Sequence, residues 1–283
     1  MRLNAFEDLR PIEPVRQGFR SGGIQFHDLM GGEEGSAGNF GLQLVRVEDA
    51  FSTPRHRHNF EQVRVMLDGE FGFGPGQVQR KGSVGYFCEG TYYTQDAKGA
   101  STTLLLQLGG PSGQGFMSRA QLRRGIEELA GKGRFESGVF TWFDESGKKH
   151  NQDSYEAVWE HIHAKPVRYP SPQYHGPVLL EPDRFEWVSE GGGVFARRLG
   201  TFNGRGLELL QWKLDAGSHW IAGAVATRRL LFCLGGEGTI DERPVRPWTT
   251  IELMPGDSPR LSADSSCEFF VFVLPRLDPV LPV

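Results

Sequence analysis

The segment His56-Arg57-His58-Asn59-Phe60-Glu61-Gln62-Val63-Arg64 sets two imidazoles, a carboxamide and a guanidinium at alternating positions. In a strand, residues i and i+2 project to the same face. His56 and His58 can therefore aim at one point, and a turn at Asn59-Phe60 lets Gln62 on the next strand face it as well. Converging imidazoles suit zinc, iron, copper or nickel. Two histidines and a glutamine leave coordination positions open, as a catalytic metal requires. Arg64 points to the same interior face, where its partner is a substrate carboxylate or a structural carboxylate such as Glu61 or Glu70.

Strands must position these groups. Residues 40–47 and 62–67 alternate apolar and polar, Phe71 and Phe73 alternate with glycine, and 102–108 is a short apolar run. Asp68-Gly69 signals a turn between two of them. The middle of the chain is different. Ser118-Arg119-Ala120-Gln121 reads as a capping box, with Leu122, Ile126 and Leu129 following at helical spacing. A second short helix is predicted from Asp153, with Tyr155, Val158, Trp159 and Ile162 on its apolar face. Lys165 to Pro172 is broken by prolines. Strand patterns return at 207–214, 229–234, 249–253 and 269–274.

Composition narrows the classes. There are 38 glycines among 283 residues, about twice the usual 7%, without the every-third period of collagen. Such a chain favours short strands and turns over helical bundles. A net charge of −4 gives no electrostatic case for nucleic acid or an anionic membrane. No apolar run is long enough to span a bilayer. Cys88, Cys233 and Cys267 are odd in number and widely spaced, which fits reduced thiols in the cytoplasm better than disulfides or a zinc ribbon. The acidic start, Met1 to Asp8, lacks a signal-peptide pattern.

The His56–Gly69 segment resembles the first motif of the cupin superfamily, His-x-His-x-x-x-Glu followed seven residues later by glycine. His56, His58 and Gly69 match, and Gln62 stands at the glutamate position. The second cupin motif, Pro-x-Gly-x-x-His, corresponds to Cys88-Glu89-Gly90-Thr91-Tyr92-Tyr93, with Tyr93 at the histidine position. In the later strand block, Leu234-Gly235-Gly236-Glu237 matches Leu67-Asp68-Gly69-Glu70. Gly223, Val225 and Arg229 then occupy the ligand positions, and Arg260 falls at the second-motif histidine.

The resemblance implies an all-β bicupin: two antiparallel jelly-roll barrels joined by a short helical insert. Residues 1–115 form the barrel with the site, 116–175 the insert and connection, and 176–283 a degenerate barrel. It implies a metal-dependent enzyme of the dioxygenase, isomerase, cyclase or lyase class acting on a small organic molecule. His56, His58 and Gln62 would hold iron, manganese, nickel or zinc. Tyr93 would be a ligand or general acid/base, and Arg64 would anchor an anionic substrate. The alternative is a metal-free bicupin that binds a small ligand without catalysis. A homodimer through barrel edges is compatible with either. His161-Ile162-His163 is discounted as a metal site, because helical residues two apart point about 200° apart. His219 and Trp220 are expected to pack in the second barrel.

Overall fold

The structure, a computed structural model, describes residues 1–8, 23–48 and 51–275. These residues divide into two units, one of residues 23–179 and one of residues 1–8 and 180–275. Each is built on antiparallel strands, and the fold is an all-β jelly roll.

In the first unit the larger sheet contains, in order, Val84–Phe87, Phe60–Asp68, Ser101–Gly109, Phe40–Val47 and Ile24–Gly31. The smaller sheet runs Ser52–His56, Tyr93–Ala97, Glu70–Gly74, Gln77–Arg80. Alternation decides what faces the interior. From strand Phe60–Asp68, Met66 joins Val45, Phe73, Phe87, Tyr93 and Leu105 in one apolar cluster. Arg64 and Gln62, two and four residues earlier, share that face. Glu61, Val63 and Val65 point the other way and are also buried. The strand therefore shows no exposed face, although its sequence alternates.

The second unit repeats this order. Its larger sheet contains Thr250–Leu253, Arg229–Gly235, Cys267–Val273, Leu207–Leu214 and Val194–Phe202. Its smaller sheet runs His219–Ile221, Arg260–Ala263, Gly238–Ile240, Arg243–Val245. Gly69 and Gly236 fall at matching turns, with φ +73° and +87°. A Cβ at either would lie 2.4 or 2.1 Å from the oxygen of Ala100 or Ser266. Only glycine meets both the backbone angle and the close approach.

Two expectations need correcting. Residues 1–8 do not open the first barrel. Arg2–Asn4 pairs with Thr250–Leu253 in the register Arg2↔Glu252, so this segment completes the second unit. Three residues with a partner so far along the chain carry no periodic signal. Nor is the insert only helical. The helices Arg119–Ala130 and Ser154–His163 form where the caps predict them. Between them lies an antiparallel sheet of Gly133–Glu136, Val139–Phe143 and Lys149–Asp153. Its first turn, Ser137-Gly138, has φ +49° and +82°, as tight hairpin loops require. Phe140 from this sheet packs with Ile126, Leu129, Val158 and Trp159 of the helices.

Candidate functional site

His56 ends the strand Ser52–His56 and pairs in register with Tyr93. The His56 ring lies 4.5 Å from that of Tyr93 and 5.1 Å from that of His58, the last pair at 79°. The His58 ring is 6.0 Å from Tyr93. Gly90 of the second motif donates its backbone N–H to the His58 carbonyl at 2.8 Å, tying the two motifs together. Phe60 stacks on the His58 ring at 4.5 Å, and Tyr155 meets it edge-on at 5.4 Å. Thr53 Oγ1 lies 3.4 Å from His56 Nδ1.

Gln62, Arg64 and Tyr93 form a closed polar knot one strand further in. They are 1%, 8% and 3% exposed. Gln62 Nε2 donates to Tyr93 Oη at 2.8 Å. Gln62 Oε1 accepts from Arg64 Nη2 at 3.0 Å and from Gln107 Nε2 at 3.3 Å. These two donors fix the direction of the amide. Arg64 Nη2 also reaches Tyr93 Oη at 3.4 Å. With the Gln95 amide turned so that its oxygen faces the guanidinium, it accepts from Nη1 and Nη2 at 2.9 Å each and donates to Thr53 Oγ1 at 3.2 Å. The guanidinium lies 4.9 and 5.1 Å from the Phe73 and Phe87 rings. Glu61 faces away and accepts from Tyr86 at 2.8 Å. Burial and the Glu61 charge push the Tyr86 hydroxyl well above the ordinary phenol range. Glu70 lies beside Arg80.

The fold thus brings His56, His58, Gln62, Arg64 and Tyr93 together. Whether they suit a divalent metal depends on the donors. The two imidazoles could share an ion. Among the described residues no group of three or more histidine, cysteine or carboxylate side chains is available to hold one. The remaining donors would be Gln62 Oε1 and Tyr93 Oη, and both already accept from Arg64. An ion bound to both oxygens at about 2.1 Å would lie within about 5 Å of Arg64 Nη2. At an effective dielectric near 20, a dication and a guanidinium at that separation repel by about 7 kcal/mol. A neutral amide and a phenol do not offset that as a carboxylate would. The donor set does not fit a resident divalent metal.

Sequence reasoning missed Gln95, Gln107 and Tyr155. Gln107 was legible as the one polar residue inside the Leu104–Leu108 run, and Gln95 lies two residues beyond Tyr93 on its strand. Tyr155 gave no signal. Helical spacing places it on an apolar face, yet its hydroxyl donates to Asn59 Oδ1 at 2.8 Å and its ring meets His58 edge-on. The insert therefore contributes to the site. Cys88 contacts Thr91 Oγ1 at 3.0 Å. Glu89 accepts from Ser112 N and Oγ at 2.7 and 2.6 Å, fastening a loop.

In the second unit Arg229 is 3% exposed and donates through Nη2 to the Asp257 carbonyl at 3.1 Å. Burial pulls its pKa down. His219 is exposed beside Ser262, and Trp220 packs edge-on against Trp212 at 4.8 Å.

No protein-family model and no curated protein matches this chain. Solved structures do. A candidate dioxygenase from Nostoc punctiforme PCC 73102 superposes with a TM-score of 0.62 at 11% identity, over 99% of this chain and 84% of that one. Protein GK1651 of Geobacillus kaustophilus gives 0.54 at 11%, over 100% and 97%. A variant of Bacillus subtilis oxalate decarboxylase gives 0.56 at 12%, over 96% and 76%. The fold is cupin-like. At these identities the likeness is one of fold, and a cupin fold hosts many chemistries.

Proposed function

We propose that the first barrel of this cupin-fold chain takes a small organic acid and moves a proton on it, as an isomerase or cyclase does. The observation that carries this reading is the cluster of His56, His58 and Tyr93, with ring centroids 4.5 to 6.0 Å apart beside an aromatic interior. Free imidazole titrates near pH 6.5, so it can accept and return a proton at neutral pH. Half-buried His56 is the outermost of the three and the natural proton acceptor. Tyr93 Oη, which accepts from Gln62 and Arg64, has its own proton to donate to a substrate oxygen. Tyr155 and Phe60 hold the His58 ring and keep water off its faces. No step here runs through a metal, because the donor set does not fit one.

The matched sheet orders and matched glycine turns support a duplicated barrel, a bicupin, whose second copy has lost the imidazoles. A barrel that binds without catalysis is the second reading. It is favoured by the saturation of Gln62 by Tyr93, Arg64 and Gln107.

The test is a thermal-shift screen of hydroxy, keto and sugar acids in the presence of EDTA, followed by proton-exchange measurements in D₂O on each hit. A ligand at a hundred times its Kd adds about 2.7 kcal/mol of stability. The shift should vanish in His58→Ala. Deuterium incorporation lost in His56→Ala supports catalysis, and binding without exchange supports the second reading. A library-wide absence of binding sinks both.

A further inference from the structure

We propose that Arg64 takes the place of a metal cation in the first barrel and keeps divalent ions out of it. The argument rests on where the guanidinium lies and what it holds. It comes from the strand that carries Gln62, two residues on, and so points to the same interior face. Its Nη2 lies 3.0 Å from Gln62 Oε1 and 3.4 Å from Tyr93 Oη, the two oxygens that would complete a ligand set with His56 and His58. A guanidinium donates where a metal ion would accept electron pairs. The same oxygens are organised around a positive centre, but a planar and covalently tethered one.

Gln62 suits this arrangement better than glutamate for a metal. Its oxygen faces Arg64 and Gln107 while its nitrogen serves Tyr93 Oη, so both ends of the amide are used. A carboxylate has no donor for Tyr93. With its amide turned, Gln95 adds one oxygen that bridges Nη1 and Nη2, a grip on two nitrogens that lysine, with one, could not give. The second barrel offers an independent parallel. Arg229, at the strand position matching Gln62, also sends a buried guanidinium inward and ties it to a backbone carbonyl.

The experiment uses the full chain and metal ions alone, so its outcome does not depend on the organic ligand proposed above. Wild type, Gln62→Glu with Arg64→Met, and Arg64→Gln are each incubated anaerobically with Fe²⁺, Mn²⁺, Co²⁺ or Zn²⁺. They are then desalted and assayed for bound metal, with circular dichroism as the folding control. Wild type should emerge empty. The double variant should hold about one equivalent, lost when His56→Ala is added. Arg64→Gln, the milder change, removes the guanidinium's repulsion and should tighten Zn²⁺ binding by at least about 10-fold; it covers the case in which the double variant does not fold. Stoichiometric metal in wild type, lost in His56→Ala, overturns the proposal. So does a folded double variant, or a folded Arg64→Gln, that binds no better than wild type.

Discussion

At the scale of single residues, the site is set by two neutral side chains at the positions where the cupin motifs have glutamate and histidine. Gln62 and Tyr93 bind each other and a shared guanidinium, so each is a partner the others need. Tyr93→Phe removes the hydroxyl and leaves Gln62 Nε2 and Arg64 short of an acceptor in a buried setting. Leaving a buried donor unsatisfied costs about 1–3 kcal/mol. Urea unfolding should show a loss of that size, and a change under about 0.5 kcal/mol would contradict the network. The residues of this knot were partly legible in the sequence. Gln62 and Arg64 follow from period-two spacing, whereas the strand expected to carry both histidines ends at His56 and leaves His58 in the link to the next strand. The engagement of Arg64 by Gln95 does not, because it depends on a strand that meets Phe60–Asp68 only across the barrel.

Among the elements, turns and caps are where sequence and structure agree most closely. Ser118 caps its helix by accepting from Gln121 N at 3.1 Å, while Gln121 Oε1 accepts from Ser118 N at 2.8 Å. Asp153 does the same for the second helix through Tyr155 N and Glu156 N. These signals are local, so a single sequence reveals them. The hairpins of the insert escaped because Phe140 and Trp142 alternate over too few residues to stand out beside two capped helices. Gly69 offers a sharp test of turn physics. Gly76 has a similar φ of +71° but nothing within 4 Å of a Cβ, whereas at Gly69 the Ala100 oxygen is 2.4 Å away. Gly76→Ala should cost about 1 kcal/mol and Gly69→Ala upwards of about 2 kcal/mol. Equal costs in denaturant melts would show that the close approach is not what fixes that turn.

For the whole molecule, a buried and a half-buried histidine give stability a pH dependence of definite sign. His163 packs on Trp159 at 4.5 Å, and burial, with Lys165 adding, pulls its pKa below the ordinary 6.5. His27 is lowered too, by burial and then Arg46. The unfolded chain therefore binds these protons first as pH falls. Their contribution is full above pH 6.5 and declines from there down to the lowered native values. His163→Phe should flatten part of that decline while His27 keeps the rest, which denaturation at several pH values would reveal. An unchanged slope would rule out His163 as a contributor. No helix among the described residues is long and apolar enough to cross a membrane. One feature of the second unit also bears on time rather than energy. Its sheet ends on Arg2–Asn4, joined to residues 250 to 252 and held by Arg2 against Glu252 at 2.9 Å. Arg2–Asn4 is thus made long before the strand it pairs with. Until Thr250–Leu253 is made these residues wait unpaired, while the first unit can form from chain already made. This edge of the second unit's sheet closes only once Thr250–Leu253 exists, so a strand made early docks late.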